Sequence, residues 1–138
     1  GDGGVPVISE FQIFEISWGL WNLSLSSRDD VRDMAQHHLD FLESTWSPET
    51  GLGFSPNYTP SDGDDTSLVY AVLSHYGRSV DVDPVLFYEV QDQDAGGHFC
   101  CYHGESDISI SANAHALEAL QAAGFDENHH RCKIFLDI

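Results

Sequence analysis

Along most of this chain apolar positions recur at steps of three and four, the period of an α-helix. The first segment carries two such stripes, Phe11, Phe14, Trp18, Trp21, Leu25 and Ile13, Ile16, Leu20, Leu23, which predict a helix buried on both sides. Ser9 followed by Gln12 has the capping-box spacing that starts a helix. From about Ser27 to Thr45 the apolar set narrows to Val31, Met34, Phe41 and Leu42, with Asp29, Asp30, Arg32, Asp33 and Asp40 elsewhere. That is the pattern of a surface helix. Residues 46–60 hold Pro48, Gly51, Gly53, Pro56 and Pro60 and read as a loop.

A third helix is predicted from near Asp64 to Tyr76, with Leu68, Val69, Val72, Leu73 and Tyr76 on one side and Gly77 as its stop. A fourth is predicted to follow, with Asp83 at the cap, Pro84 at the first helical position and Val85, Leu86, Phe87 and Val90 as its apolar face. A second loop of chain breakers, residues 92–107, leads to a fifth helix through Ile110, Ala114, Leu117 and Leu120, closed by Gly124. A sixth begins around Asp126. No segment alternates as a strand does.

Gly77 recurs as Gly124 after 47 residues, at the ends of two alike segments. Hairpins repeated at this period build stacked or ring-shaped arrays, with one helix of each pair inside and one outside. The expectation is one all-α domain over residues 1–138, made of about three repeated helical hairpins. Helices one, three and five line the inside and two, four and six the outside. The last residues, Lys133-Ile134-Phe135-Leu136-Asp137-Ile138, are too few to finish a hairpin. The chain is therefore expected to be part of a longer protein, or to self-associate through its open end.

Composition narrows the function. The chain is 41% hydrophobic and has sixteen aromatic residues among 138, enough for a packed core. Its 23 acidic and 5 basic residues give a net charge of -18, which repels nucleic acid and anionic lipid surfaces. No run approaches the ~18 apolar residues of a membrane span. Three cysteines, two of them adjacent at Cys100 and Cys101, read as free thiols of a reducing cytoplasm.

The candidate chemistry lies in Ser61-Asp62-Gly63-Asp64-Asp65-Thr66, three carboxylates within four residues at the start of a strongly apolar helix. One reading is ordinary, because acidic residues favour the positive end of a helix and either Asp62 or Asp64 can cap it. The other rests on crowding. Carboxylates a few ångströms apart cannot all ionise, and one that keeps its proton beside apolar walls becomes a proton donor. Protonating an alkene needs such an acid in a dry cavity.

Asp62-Gly63-Asp64-Asp65-Thr66 resembles the Asp-x-Asp-Asp-Thr signature of class II terpene cyclases, which include copalyl diphosphate synthases and, with a similar motif, squalene-hopene cyclases. The resemblance extends through Phe14-Glu15-Ile16-Ser17-Trp18-Gly19-Leu20-Trp21-Asn22-Leu23, Leu73-Ser74-His75-Tyr76-Gly77, Phe99-Cys100-Cys101-Tyr102-His103-Gly104-Glu105-Ser106 and Ser109-Ile110-Ser111-Ala112-Asn113-Ala114-His115. Gln93-Asp94-Ala95-Gly96-Gly97-His98-Phe99 is similar to the Gln-x-x-x-Gly-x-aromatic repeat of such enzymes, a structural turn.

This resemblance implies half of an α/α toroid, like the β domain of terpenoid cyclases. It implies Asp64 as the proton donor, Asp62 and Asp65 as its shell, and His115, with Asn113 close by, hydrogen-bonded to the donor. It also implies an isomerase of the intramolecular-lyase kind, converting geranylgeranyl diphosphate to a copalyl-type diphosphate, with Mg²⁺ on the diphosphate held by ligands outside this chain. A squalene-type cyclase, or a non-catalytic helical module that binds a hydrophobic partner, is the alternative.

Two further patterns are set aside. Asp29-Asp30-Val31-Arg32-Asp33 matches the Asp-Asp-x-x-Asp magnesium motif of ionisation-initiated synthases, but it opens a polar helix after Ser26 and Ser27, where capping accounts for it. His98, Cys100, Cys101 and His103 lack the paired Cys-x-x-Cys spacing of a tetrahedral zinc site.

Overall fold

The computed structural model describes residues 12–26, 28–57, 59–92, 96–105 and 107–125. The Ser9 cap, Phe11, the turn at 93–95, the sixth helix and the tail at 133–138 lie outside these residues.

Helix α3 (Gly63–His75) is the axis of the fold, with ten of its thirteen residues buried. It packs chiefly on α5 (Ile110–Ala122), and also on α1 (Gln12–Ser24) and α2 (Asp29–Thr45). Its ends follow from local chemistry. Asp62 caps the start by accepting the Asp65 amide. At the other end Gly77, at φ +75°, turns the chain so that its N–H and that of Arg78 reach the carbonyls of Ser74 and Leu73.

The same devices recur around α5. Ser109 caps it by accepting the Ala112 amide, and Gly124, at φ +89°, sends its own N–H and that of Phe125 to Gln121 and Leu120. Each of these positions lies 47 residues beyond its α3 counterpart.

Helix α1 departs from the two-sided burial expected of it. Ile13, Ser17 and Leu20 are buried, whereas Trp18 is 37% and Leu25 78% exposed. Its main helix contacts are with α2 and α3, which bury one stripe. The inner face of α2 is Ala35, Leu39 and Leu42, rotated from the predicted stripe, and Met34 is 67% exposed. Its N-cap is Arg28, with no side-chain capping bond, so the capping expected of Ser26 is corrected. The Arg78 guanidinium ties α2 to the end of α3 through Glu43 (2.7 Å), Asp40 (2.6 Å) and Gln36 (2.9 Å).

The expected fourth helix is a single turn, α4 (Asp83–Leu86), capped by Val82 rather than Asp83. Beyond it β1 (Glu89–Asp92) pairs antiparallel with β2 (Gly96–Phe99), Glu89 opposite Phe99. The expectation that no segment forms a strand is corrected, although the described chain is mostly helical. Tyr88 explains the change of course. Its hydroxyl donates to the Thr50 carbonyl at 3.0 Å, and its own carbonyl accepts the Cys100 amide at 3.1 Å, which holds the chain extended.

Two core clusters result. One joins α1, α2 and α3 around Ile13, Leu39 and Leu68; the other joins α3, α4, the hairpin and α5 around Tyr88, Phe99 and Leu120. No helix among the described residues is long and apolar enough to cross a membrane.

Candidate active site

Each residue of the Asp-Gly-Asp-Asp-Thr run has a separate physical task. Asp62 turns the chain into the helix, its Oδ1 accepting the Asp65 amide at 2.8 Å. Gly63 lets that turn press against the loop below it. Its N–H donates to the Cys101 carbonyl at 2.9 Å, and a Cβ there would lie 2.1 Å from the Cys100 carbonyl oxygen. Thr66 binds the loop before the helix at two points, donating to the Leu52 carbonyl (2.9 Å) and accepting the Leu52 amide (3.1 Å).

The three carboxylates diverge. Asp62 and Asp65 are each 1% exposed. Asp62 Oδ2 and both Asp65 oxygens are buried with no hydrogen-bond partner among the described residues, so ionising both carboxyls is costly. Burial, then the charge of Asp62, pushes the Asp65 carboxyl up to about 8. Burial also raises Asp62, to about 6, against the hydrogen bond from the Asp65 amide. Burial and crowding therefore favour a retained proton on the buried pair. Both members feel the charge of Asp64.

The side chain of Asp64 keeps 21% of its surface accessible and reaches across to α5. Its Oδ1 lies 2.6 Å from Nδ1 of His115, and its Oδ2 accepts the Ser111 hydroxyl at 3.1 Å. His115 is itself buried, with the edge of Trp18 against it at a ring separation of 5.5 Å. One α-helix thus presents a hydroxyl and an imidazole, four residues apart on one face, to the two oxygens of one carboxyl.

The structure does not bring Asn113 to the acid. Two residues from His115, it lies on the opposite side of α5. Its amide is consumed by main chain, accepting the Phe99 N–H (2.8 Å) and donating to the carbonyls of Phe99 (2.9 Å) and Ser109 (2.5 Å). Asn113 is to Phe99 what Thr66 is to Leu52, 47 residues earlier. Sequence reasoning missed Ser111. The signal for it was the i,i+4 spacing to His115, which Asn113 lacks.

Among the described residues no three carboxylate, imidazole or thiol groups converge as a metal site. Asp30 is paired with Arg28, and the Cys100 thiol donates to the Tyr88 carbonyl. The described residues thus offer no ligand set for a Mg²⁺ ion.

The proton held by Asp65 gives a pH signature. In the unfolded chain Asp65 ionises near pH 4, and in the folded chain near 8. The folded state binds the extra proton between these limits, so this site costs stability progressively as pH rises from about 4 to about 8. Asp65→Asn cannot ionise, and its amide N–H can replace the carboxyl O–H toward Asp62. Its thermal midpoint is expected to gain on the parent across that window, with the widest gap at pH 8 and above. Parallel midpoint-versus-pH curves for the two proteins would refute the raised Asp65 carboxyl.

No protein-family model matches the chain. It is 42% identical over 142 residues to a type B diterpene cyclase of Mycobacterium tuberculosis, a match that takes in 99% of this chain and 27% of that protein. It is 35% identical over 127 residues to (+)-kolavenyl diphosphate synthase of Herpetosiphon aurantiacus, across 90% of this chain and 23% of that protein. With syn-copalyl diphosphate synthase of Oryza sativa subsp. japonica the identity is 28% over 138 residues, across 97% and 17%. The chain spans about a quarter or less of the length of these relatives.

Proposed function

We propose, from the premise that this chain resembles a segment of class II diterpene cyclases, that it is the acid-bearing part of such an enzyme. The reaction is a proton-initiated cyclisation of a linear isoprenoid diphosphate, geranylgeranyl diphosphate to a copalyl-type bicyclic product. Asp64 gives its proton to the terminal alkene, neighbouring double bonds close the rings onto the resulting cation, and loss of a proton from the last cation restores an alkene. The net change is an isomerisation, and Asp64 must be reprotonated before the next turnover.

What supports this reading above all is the hold on Asp64. Of the three carboxylates it is the one with accessible surface, and its two oxygens are fixed by His115 and Ser111. Asp62 and Asp65 are sealed from any substrate, which fits a supporting role. The recurrence of caps and clamps at 47 residues supports a ring of α-hairpins, an α/α toroid, with the rest of the cavity and the diphosphate site supplied by the remainder of the protein.

The test is to incubate the full-length protein that contains this segment with geranylgeranyl diphosphate, dephosphorylate the products and identify them by mass spectrometry. A bicyclic alcohol is the expected result. Unchanged substrate, or a hydrocarbon formed with release of diphosphate, would refute the proposal. Squalene in a parallel incubation separates the triterpene alternative.

A further inference from the structure

We infer that Ser111 is a second positioning residue for Asp64, acting beside His115 to fix the orientation of its carboxyl. This deepens the reading of Asp64 as the proton donor and rests on it.

A carboxyl held at one oxygen can still swing about its Cβ–Cγ bond. The Asp64 carboxyl is held at both. The His115 ring takes Oδ1 and the Ser111 hydroxyl donates to Oδ2. The proton to be transferred must then occupy a lone pair that this clamp leaves open, so the clamp decides where the acid points. Both holding groups project from one turn of α5, a helix anchored by its Ser109 cap and by the Asn113 clamp on Phe99. Ser111 is in turn held by Ser109, their hydroxyl oxygens 3.2 Å apart. The three serine and histidine groups therefore move with the helix, not with a loop.

The sign of the effect follows from what Ser111 stabilises. A hydroxyl donating to a carboxylate favours the ionised form and lowers the pKa. The other titratable groups around Asp64 are His115 on α5, Asp62 and Asp65 on its own helix, and Cys101 on the loop beneath. The buried pair repels a charge on Asp64, so the Ser111 hydroxyl offsets part of that repulsion. Without it the Asp64 carboxyl is held at one oxygen only.

The experiment compares Ser111→Ala, Ser111→Thr and Asp64→Asn in the full-length protein, with kcat and KM for geranylgeranyl diphosphate measured across pH. Ser111→Ala is expected to lower kcat by about three- to tenfold with KM little changed. Ser111→Thr, which keeps the hydroxyl, restores kcat. A Ser111→Ala profile superimposable on the parent, or a loss that Thr does not rescue, overturns the inference while the Asp64 reading stands. An active Asp64→Asn overturns the Asp64 reading itself, and this inference with it.

Discussion

Asp64→Asn is expected to reduce cyclisation by at least about 10²–10⁴-fold, the range typical for loss of a general acid. Asparagine keeps the size of the side chain and an oxygen for Ser111 or an amide for His115, but it has no acidic proton to give. The fold should barely respond, because Asp64 is neither the cap nor a buried member of the motif. Asp62 is the cap, and Asp65 is the residue with no access to solvent. Loss of a cap would have the opposite effect, about 1 kcal/mol of stability with activity kept below the melting temperature. Turnover and thermal midpoint measured on the same full-length variant separate these outcomes. A destabilised but active Asp64→Asn would sink the assignment. Asp29→Asn, at the start of α2, serves as the control, with turnover expected at the parent level.

The second large effect is structural. Gly63→Ala is expected to destabilise the fold by about 3 kcal/mol, the upper part of the range for forcing atoms into a packed interior. The added methyl would sit 2.1 Å from the Cys100 carbonyl oxygen and 2.9 Å from Cβ of Tyr88. Neither neighbour can give way cheaply. The Cys100 amide is bonded to the Tyr88 carbonyl, Tyr88 is tied to Thr50, and the Gly63 amide itself holds Cys101. Relief would mean lifting the start of α3 off the loop, carrying Asp64 away from His115. The denaturation midpoint should fall, and turnover should fall even where the protein stays folded. A Gly63→Ala protein as stable as its parent would mean that this contact is not tight.

The site is braced by the part of the fold that local pattern did not foretell. The β-hairpin ends at Phe99, fully buried and gripped by Asn113. Cys100 and Cys101 then pass directly under the first turn of α3. The hairpin thus connects the two helices that must meet. It fixes α5 through Phe99 and α3 through Cys101, which sets the distance across which Asp64 and His115 face each other.

What the sequence alone determined here is whatever is encoded within a turn or two of chain. Gly77 and Gly124 end helices because only glycine takes their left-handed backbone without strain. The acidic run opens a helix because carboxylates suit its positive end, and periodicity marks α3 and α5 almost to the residue. His115 entered through resemblance, its place beside Asp64 resting on the spacing of the two helices.

Tertiary structure decided the rest. A helical pattern through Val90 gave way to a strand because Tyr88 found partners at Thr50 and Cys100. The two stripes of α1 were not both covered, because burial is conferred by neighbours and not by the stripe. Three adjacent carboxylates look equivalent in sequence. Yet Asp62 stands before the helix and caps it, and the first turn sets Asp64 and Asp65 about 100° apart, so Asp65 is buried and Asp64 faces α5. The same rotation gave Ser111 to the acid and Asn113 to Phe99. Such assignments depend on which side of a helix meets which neighbour across 14 to 51 residues of chain, and only the packed fold supplies that partner.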